Sequence, residues 1–183
     1  MNIFILDRDP IVAARMHCDK HIPKMTVEVY QQIASAARRH GATDGVMPLN
    51  QSGMPVKGGY HHHPCTVWVG DSRANFKWAC VHGIALACEF AKRFQNPHHC
   101  FAGITTLWSL NELVPEGDLT PFAQAMPDQY RHDDAVTAYR DYYWCEKRRF
   151  AKWEKGTPVP EWWEDAEKEG CEGAFHQELR RVS

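Results

Sequence analysis

Three side chains of the types that move protons lie about one helical turn apart in the first fifth of the chain: His21, Lys24 and Glu28. At about 100° per residue they share an arc with His17, Lys20 and Gln31, while Ala14, Cys18, Ile22, Met25, Val29 and Ile33 share the neighbouring arc. The second arc predicts a packed face and the first a face turned to solvent or to a ligand. An imidazole, an ammonium and a carboxylate at this spacing can exchange protons, as general acid–base catalysis requires. The same pattern also describes a solvated face on which Lys24 and Glu28 form an ordinary i, i+4 ion pair. Residue types alone leave both readings open.

The elements that must carry this stripe are helical. Asp9-Pro10 combines an N-cap acceptor with proline at the first helical position, so a helix begins near residue 10. Pro23 falls inside the same periodic pattern, which predicts either a kink or a second helix starting near Asp19 and running to Arg39, stopped by His40-Gly41. Residues 41–59 read as a long loop, and residues 2–6 as a short strand or extended arm. A further helical stretch opens at His63-Pro64. From Ser72 to Phe94, Phe76, Cys80, Ile84, Ala87, Cys88 and Ala91 recur at helical spacing. A shorter helix is expected over 101–113, then a Pro-rich ordered loop over 115–127. The last strong helix is expected from Asp133 or Asp134 to about Trp153, packed through Val136, Tyr139, Tyr143, Phe150 and Trp153. The fold class that follows is mainly α: a single compact helical domain with long loops and a short extended N-terminal segment.

Composition agrees. The 183 residues, 44% hydrophobic and 24% charged, suit one globular domain with a core of its own. Residues 161–183 carry seven acids against three bases, and 1–160 carry eighteen bases against sixteen acids. The expected organisation is therefore a helical catalytic or binding domain over 1–160 and an acidic tail over 161–183. The absence of a long apolar run and an acidic start without a signal-peptide pattern predict a cytoplasmic protein with no membrane partner. Seven cysteines without CxxC spacing argue against a disulfide framework and for reduced, mostly buried thiols.

Other constellations offer chemistry. His61, His62, His63 and Cys65, with His98, His99 and Cys100, are metal-type ligands in two clusters, but they fit no established zinc spacing, and adjacent histidines usually diverge. No metal and no cofactor is assigned on that basis. His63 is expected to form a polar wall opposite the first long helix. Ser72, Arg73, Asn75, Lys77 and Trp78 open a helix whose N-terminus either binds phosphate or is simply capped by Ser72. Lys147, Arg148, Arg149, Lys152 and Lys155 interleave with Phe150 and Trp153, a pattern that suits phosphate contacts with base stacking, or a solvated helix end. No Walker, Rossmann or nucleophile-elbow motif occurs.

The segment DKHIPKMTVE, Asp19 to Glu28, resembles the D-x-H-x(6)-E segment of the phage pyrimidine-dimer DNA glycosylase/AP-lyase family, and His63 to Phe94 resembles that family's second helical segment. The whole chain is similar to small tailed-phage proteins marked by N-I-F-x-L-D-x-D-P, CDKH, HPCxxW and an AMPD loop, here Asn2–Pro10, Cys18–His21, His63–Trp68 and Ala125–Asp128. The resemblance implies a catalytic Glu28 and an active-site His21. In that family the nucleophile is the α-amine of a Thr exposed by Met removal. This chain departs from it: Met1-Asn2 is a pair from which Met is expected to be retained, and a longer lead precedes the motif. Lys24 or Lys20 then offers an internal amine, or Glu28 activates water.

The reading that follows is a phage-encoded enzyme acting on the N-glycosidic bond of a pyrimidine nucleotide extruded from DNA. Glu28 is the general acid/base, His21 orients it, and Lys24 contacts phosphate or supplies the amine. Lys20, Gln31, His63, Arg73, Asn75, Lys147, Arg148, Arg149, Lys152 and Trp153 are the candidate DNA-binding residues. Two alternatives use the same residues: modification of a hypermodified pyrimidine base, and a non-catalytic anti-defence protein that binds a nucleotide signal or a host protein.

Overall fold

A computed structural model describes residues 2–169. Cys171, Met1 and the acidic segment past residue 169 lie outside the described residues. The protein is mainly helical and no strand forms among the described residues: α1 (Pro10–Met16), α2 (His21–Arg39), α3 (Pro64–Val69), α4 (Arg73–Phe94), α5 (Phe101–Trp108), α6 (Ala135–Lys147) and α7 (Glu161–Glu169), with single 3-10 turns at Asn111–Leu113 and Asp128–Tyr130. No helix is long and apolar enough to cross a membrane.

Local chemistry sets the helix ends. The Asp9 side chain accepts from the Ile11 and Val12 amides and starts α1. His17 is extended at its C-cap, so the chain breaks and α2 begins afresh at His21, with Pro23 in the first turn where no amide bond is lost. At the far end of α2 the Ala42 amide reaches the Ala37 carbonyl and Gly41 takes φ +90°, a Schellman stop for which glycine is suited.

α4 is the central helix, with α1, α2 and α5 packed around it and α3 against α2. Ala14, Cys18, Ile22, Met25, Val29 and Ile33 are all buried, as their shared arc required. Close approach of α2, α4 and α5 depends on Gly83, where a Cβ would lie 3.1 Å from Val29 and 3.2 Å from Ile104. The buried face of α4 differs from the expected one. Phe76, Cys80 and Ala87 are buried, but Cys88 is exposed and its place is taken by Trp78, His82, Leu86, Glu89 and Arg93.

Arg93 is fully buried and organises the α1–α2 break. It donates to the Arg15 and His17 carbonyls, which have lost helical partners there, and pairs with Asp19 (3.1 Å) and Glu89 (3.1 Å). Asp19 in turn accepts from the Glu154 amide, and its own amide donates to the Lys152 carbonyl. Bending the chain back over this break ends α6 at Lys147, earlier than the periodicity to Trp153 suggested. Trp153 instead donates its indole N–H to the Met16 carbonyl.

The N-terminal segment is an extended arm, not a strand. Ile3, Phe4, Ile5 and Leu6 are buried, and Arg140 of α6 holds the Leu6 carbonyl. Residue 160 does not mark the edge of the core: Trp163 of α7 is buried against Trp144 and Trp153. Of the described cysteines, Cys18, Cys65, Cys80 and Cys100 are buried and all six are free thiols.

Candidate active site

The break between α1 and α2 divides the polar arc. His17 belongs to the end of α1 and is fully buried, whereas Lys20, His21, Lys24 and Glu28 line one pocket of about 330 Å³ together with Asn2, Phe4, Met25, Ala125, Tyr142, Lys147 and Phe150. This volume is at the small end of the range for ligand sites, about 300–1,000 Å³.

Glu28 is the pocket's carboxylate. Its side chain is 12% exposed, Oε1 lies 3.5 Å from Lys24 Nζ, and Oε2 accepts from the Asn2 backbone nitrogen at 3.0 Å. Lys24 is 63% exposed and projects to solvent, so it is an electrostatic partner at the rim and not a desolvated amine. Two more ammonium groups flank the opening over aromatic faces, Lys20 at 4.6 Å from the Phe150 centroid and Lys147 at 4.7 Å from Tyr142. Three cations around one carboxylate, with ring faces between them, suit an anionic substrate carrying an aromatic base.

His21 is buried in an aromatic cage: it stacks on Phe4 (5.2 Å) and meets Tyr143 and Phe150 edge-on. Burial, then the charges of Lys147, Lys24 and Lys20, bring its pKa down to about 3. At neutral pH it is an uncharged wall of the pocket. It cannot serve there as a proton-donating imidazolium, and its buried Nδ1 has no hydrogen-bond partner.

The chain start reaches the site despite its sequence distance from Glu28. The Asn2 side chain is locked on every side: Nδ2 donates to the Ala125 carbonyl (2.8 Å), and Oδ1 accepts from Tyr139 (2.9 Å) and from the Cys65 thiol (3.4 Å), which burial keeps protonated. The single Tyr139 hydroxyl proton is shared between Asn2 Oδ1 and the Ala123 carbonyl (2.7 Å). The HPC segment, the AMPD loop and the N-I-F start thus meet at one point, and their joint effect is to fix the Asn2 nitrogen against Glu28. The chain matches no protein-family model, no curated protein and no solved structure.

Several candidate residues lie away from this pocket. Gln31 lines a separate groove between α2 and the 49–58 loop. His63 caps α3, its Nδ1 accepting from the Cys65 amide. The N-terminus of α4 is already saturated: the Arg73 and Ala74 amides donate to the Pro115 and Gly117 carbonyls, and the Asn75 amide to Ser72 Oγ. Arg73 pairs with Glu112 (2.9 Å), and Asn75 ties Trp68 to Thr120. These bonds use the groups that a phosphate would have needed, and the capped reading of this terminus is the one the structure shows.

Along the basic segment, Lys147 reaches the pocket, Arg148 lies over Trp144, Arg149 is exposed, Lys152 pairs with Glu154 and Trp153 packs on α1. Residues that the spacing did not single out, Asn2, Phe4, Ala125 and Tyr142, complete the pocket; the motifs containing Asn2, Phe4 and Ala125 were the available signal.

Proposed function

We propose that this pocket acts on the N-glycosidic bond of a pyrimidine nucleotide extruded from DNA, with Glu28 as general acid/base, in the manner of the phage pyrimidine-dimer glycosylase/AP-lyase family that Asp19–Glu28 resembles. The observation that carries the reading is the pairing of a nearly buried carboxylate with the Asn2 nitrogen at 3.0 Å inside a cation-rimmed aromatic pocket. As the bond from C1′ to the base nitrogen breaks, its electron pair leaves with the base, and the carboxylate stabilises the cationic sugar that remains. In the hydrolytic course water adds at C1′, giving its proton to Glu28, which passes one to the departing base. Lys20, Lys24 and Lys147 supply the positive field for the flanking phosphates.

A lyase course needs an amine in place of water. Lys24 stands in solvent, so the nitrogen best placed for it is that of residue 2, and only as a free α-amine. An intact mass decides whether Met1 is retained and hence whether that nitrogen is an amide. The decisive assay incubates the purified protein with ultraviolet-damaged and abasic duplexes, with and without borohydride. Base release that is lost in Glu28→Gln supports the proposal, and a borohydride-trapped adduct selects the lyase course. Neither base release, nicking nor adduct on any of these duplexes overturns it.

A further inference from the structure

Beside Pro23 and Val27, the chain turns into α5 and does something unusual for consecutive residues. His98, His99 and Cys100 place one ligand atom each within 4.8 Å of one another. The turn is responsible: the Phe101 amide returns to the His98 carbonyl and the Ile104 amide to that of Cys100, so three side chains that would diverge in a strand are gathered on one side. No other group of three potential ligands converges among the described residues.

The hydrogen bonds around His98 set its tautomer. The Pro23 carbonyl can only accept, so the contact at 3.3 Å assigns the proton to His98 Nε2 and leaves the lone pair on Nδ1. That lone pair accepts from the Cys100 amide at 3.2 Å, a bond that coordination through Nδ1 replaces. A ring nitrogen donating to a backbone carbonyl is the usual outer-shell arrangement of a metal-bound histidine, and at His98 it leaves Nδ1 as the ligand atom once the Cys100 amide releases it. The His98 and His99 rings lie nearly parallel, 4.6 Å apart, and His98 is braced edge-on by Phe90.

Access is open. His99 and Cys100 line a groove of about 790 Å³ under the 49–58 loop, and His98 and His99 line an adjoining one with Gln51 common to both. Neither shares a residue with the Glu28 pocket. Bond lengths of about 2.0 Å to nitrogen and 2.3 Å to sulfur place tetrahedral ligand atoms roughly 3.3–3.8 Å apart, so closing the site draws the three atoms inward and turns one imidazole out of the His98–His99 stack.

We propose that His98, His99 and Cys100 bind a zinc-class divalent ion, with its fourth position open to the groove beneath the 49–58 loop. Two imidazoles and one thiolate suit a borderline ion and do not suit magnesium or calcium. Binding forms one metal–sulfur bond and releases the Cys100 thiol proton to solvent. The bound ion keeps one positive charge after the thiolate is counted, so the open position takes water or an anion.

The test uses cobalt(II) as a coloured substitute on the full chain after chelator treatment. The expected result is one equivalent bound, with a thiolate-to-cobalt charge-transfer band and the intense visible bands of tetrahedral coordination, all bleached by zinc. Cys100→Ser should remove the charge-transfer band. His99→Ala, at an exposed position, should weaken cobalt binding at least about tenfold and keeps the test decisive if the serine variant does not fold. Cys88→Ser, an exposed thiol elsewhere on α4, should leave the spectrum unchanged. No charge-transfer band, a band that survives Cys100→Ser, or one lost in Cys88→Ser overturns the proposal.

Discussion

Lowering the pH from 7 to 5 should destabilise the fold by about 4 kcal/mol through two histidines alone. His82 is fully buried beneath Trp78, its Nδ1 bonded to the Pro10 carbonyl, and burial brings its pKa from 6.5 down to about 4. His21 falls to about 3 in its aromatic cage. The native chain holds both neutral across this range, whereas the unfolded chain takes up both protons near 6.5, so stability is complete above that value and is lost as pH falls toward the native pKa. Protonating the unfolded form at pH 5 is worth about 2 kcal/mol per histidine. His17, buried between His82, His21 and Arg93 and also shifted down by burial, adds in the same direction. Asp141, whose carboxyl burial raises, works the other way.

With a urea m-value of about 2 kcal/mol/M, the midpoint should fall by roughly 2 M between pH 7 and 5. His82→Gln keeps a donor for Pro10 but cannot titrate. It should therefore recover about 2 kcal/mol of the pH-dependent loss, whatever it does to stability at pH 7. Equal midpoints at the two pH values, or the same pH dependence in His82→Gln, would refute the reasoning.

Other substitutions probe the framework and the pocket separately. Glu28→Gln should cut base release by about 10²–10⁴ while thermal unfolding shows a native transition. Asn2→Ala takes the side-chain donor from the Ala125 carbonyl and an acceptor from Tyr139 and the Cys65 thiol, costing about 1–3 kcal/mol in urea unfolding, and should lower activity by freeing the nitrogen at Glu28. Arg93→Ala leaves Asp19 and Glu89 buried without their cation, and denaturation should show a loss of about 3–5 kcal/mol. Gly83→Ala crowds Val29 and Ile104 and should cost about 1–3 kcal/mol by the same measurement.

The helices were legible where local chemistry decides them. Asp9-Pro10 and Ser72 cap the helices their residue types announce, and the apolar arc from Ala14 to Ile33 is the buried one. Periodicity failed where a distant partner outweighed it. Arg93 looks like a cation favouring a helix C-terminus, yet it is buried because the α1–α2 break exposes two carbonyls to it. His17 and His21 look polar, yet Phe4 and Tyr143 enclose them. Of the pocket, spacing located Lys20, His21, Lys24 and Glu28. It could not show that Asn2 arrives there, since no helical period links an extended arm to a helix face. The convergence of His98, His99 and Cys100 was equally hidden, because it depends on the backbone turn.

The lock around Asn2 also orders events in time. Its partner Tyr139 lies 137 residues later in the chain, and at a synthesis rate of about 5–20 residues per second that side chain emerges roughly 7–27 s after Asn2. For that interval the apolar arm from Ile3 to Leu6 has no α6 to lie against. The earliest-made segment is thus among the last to find its seat, and assembly of the pocket waits on nearly the whole translation product.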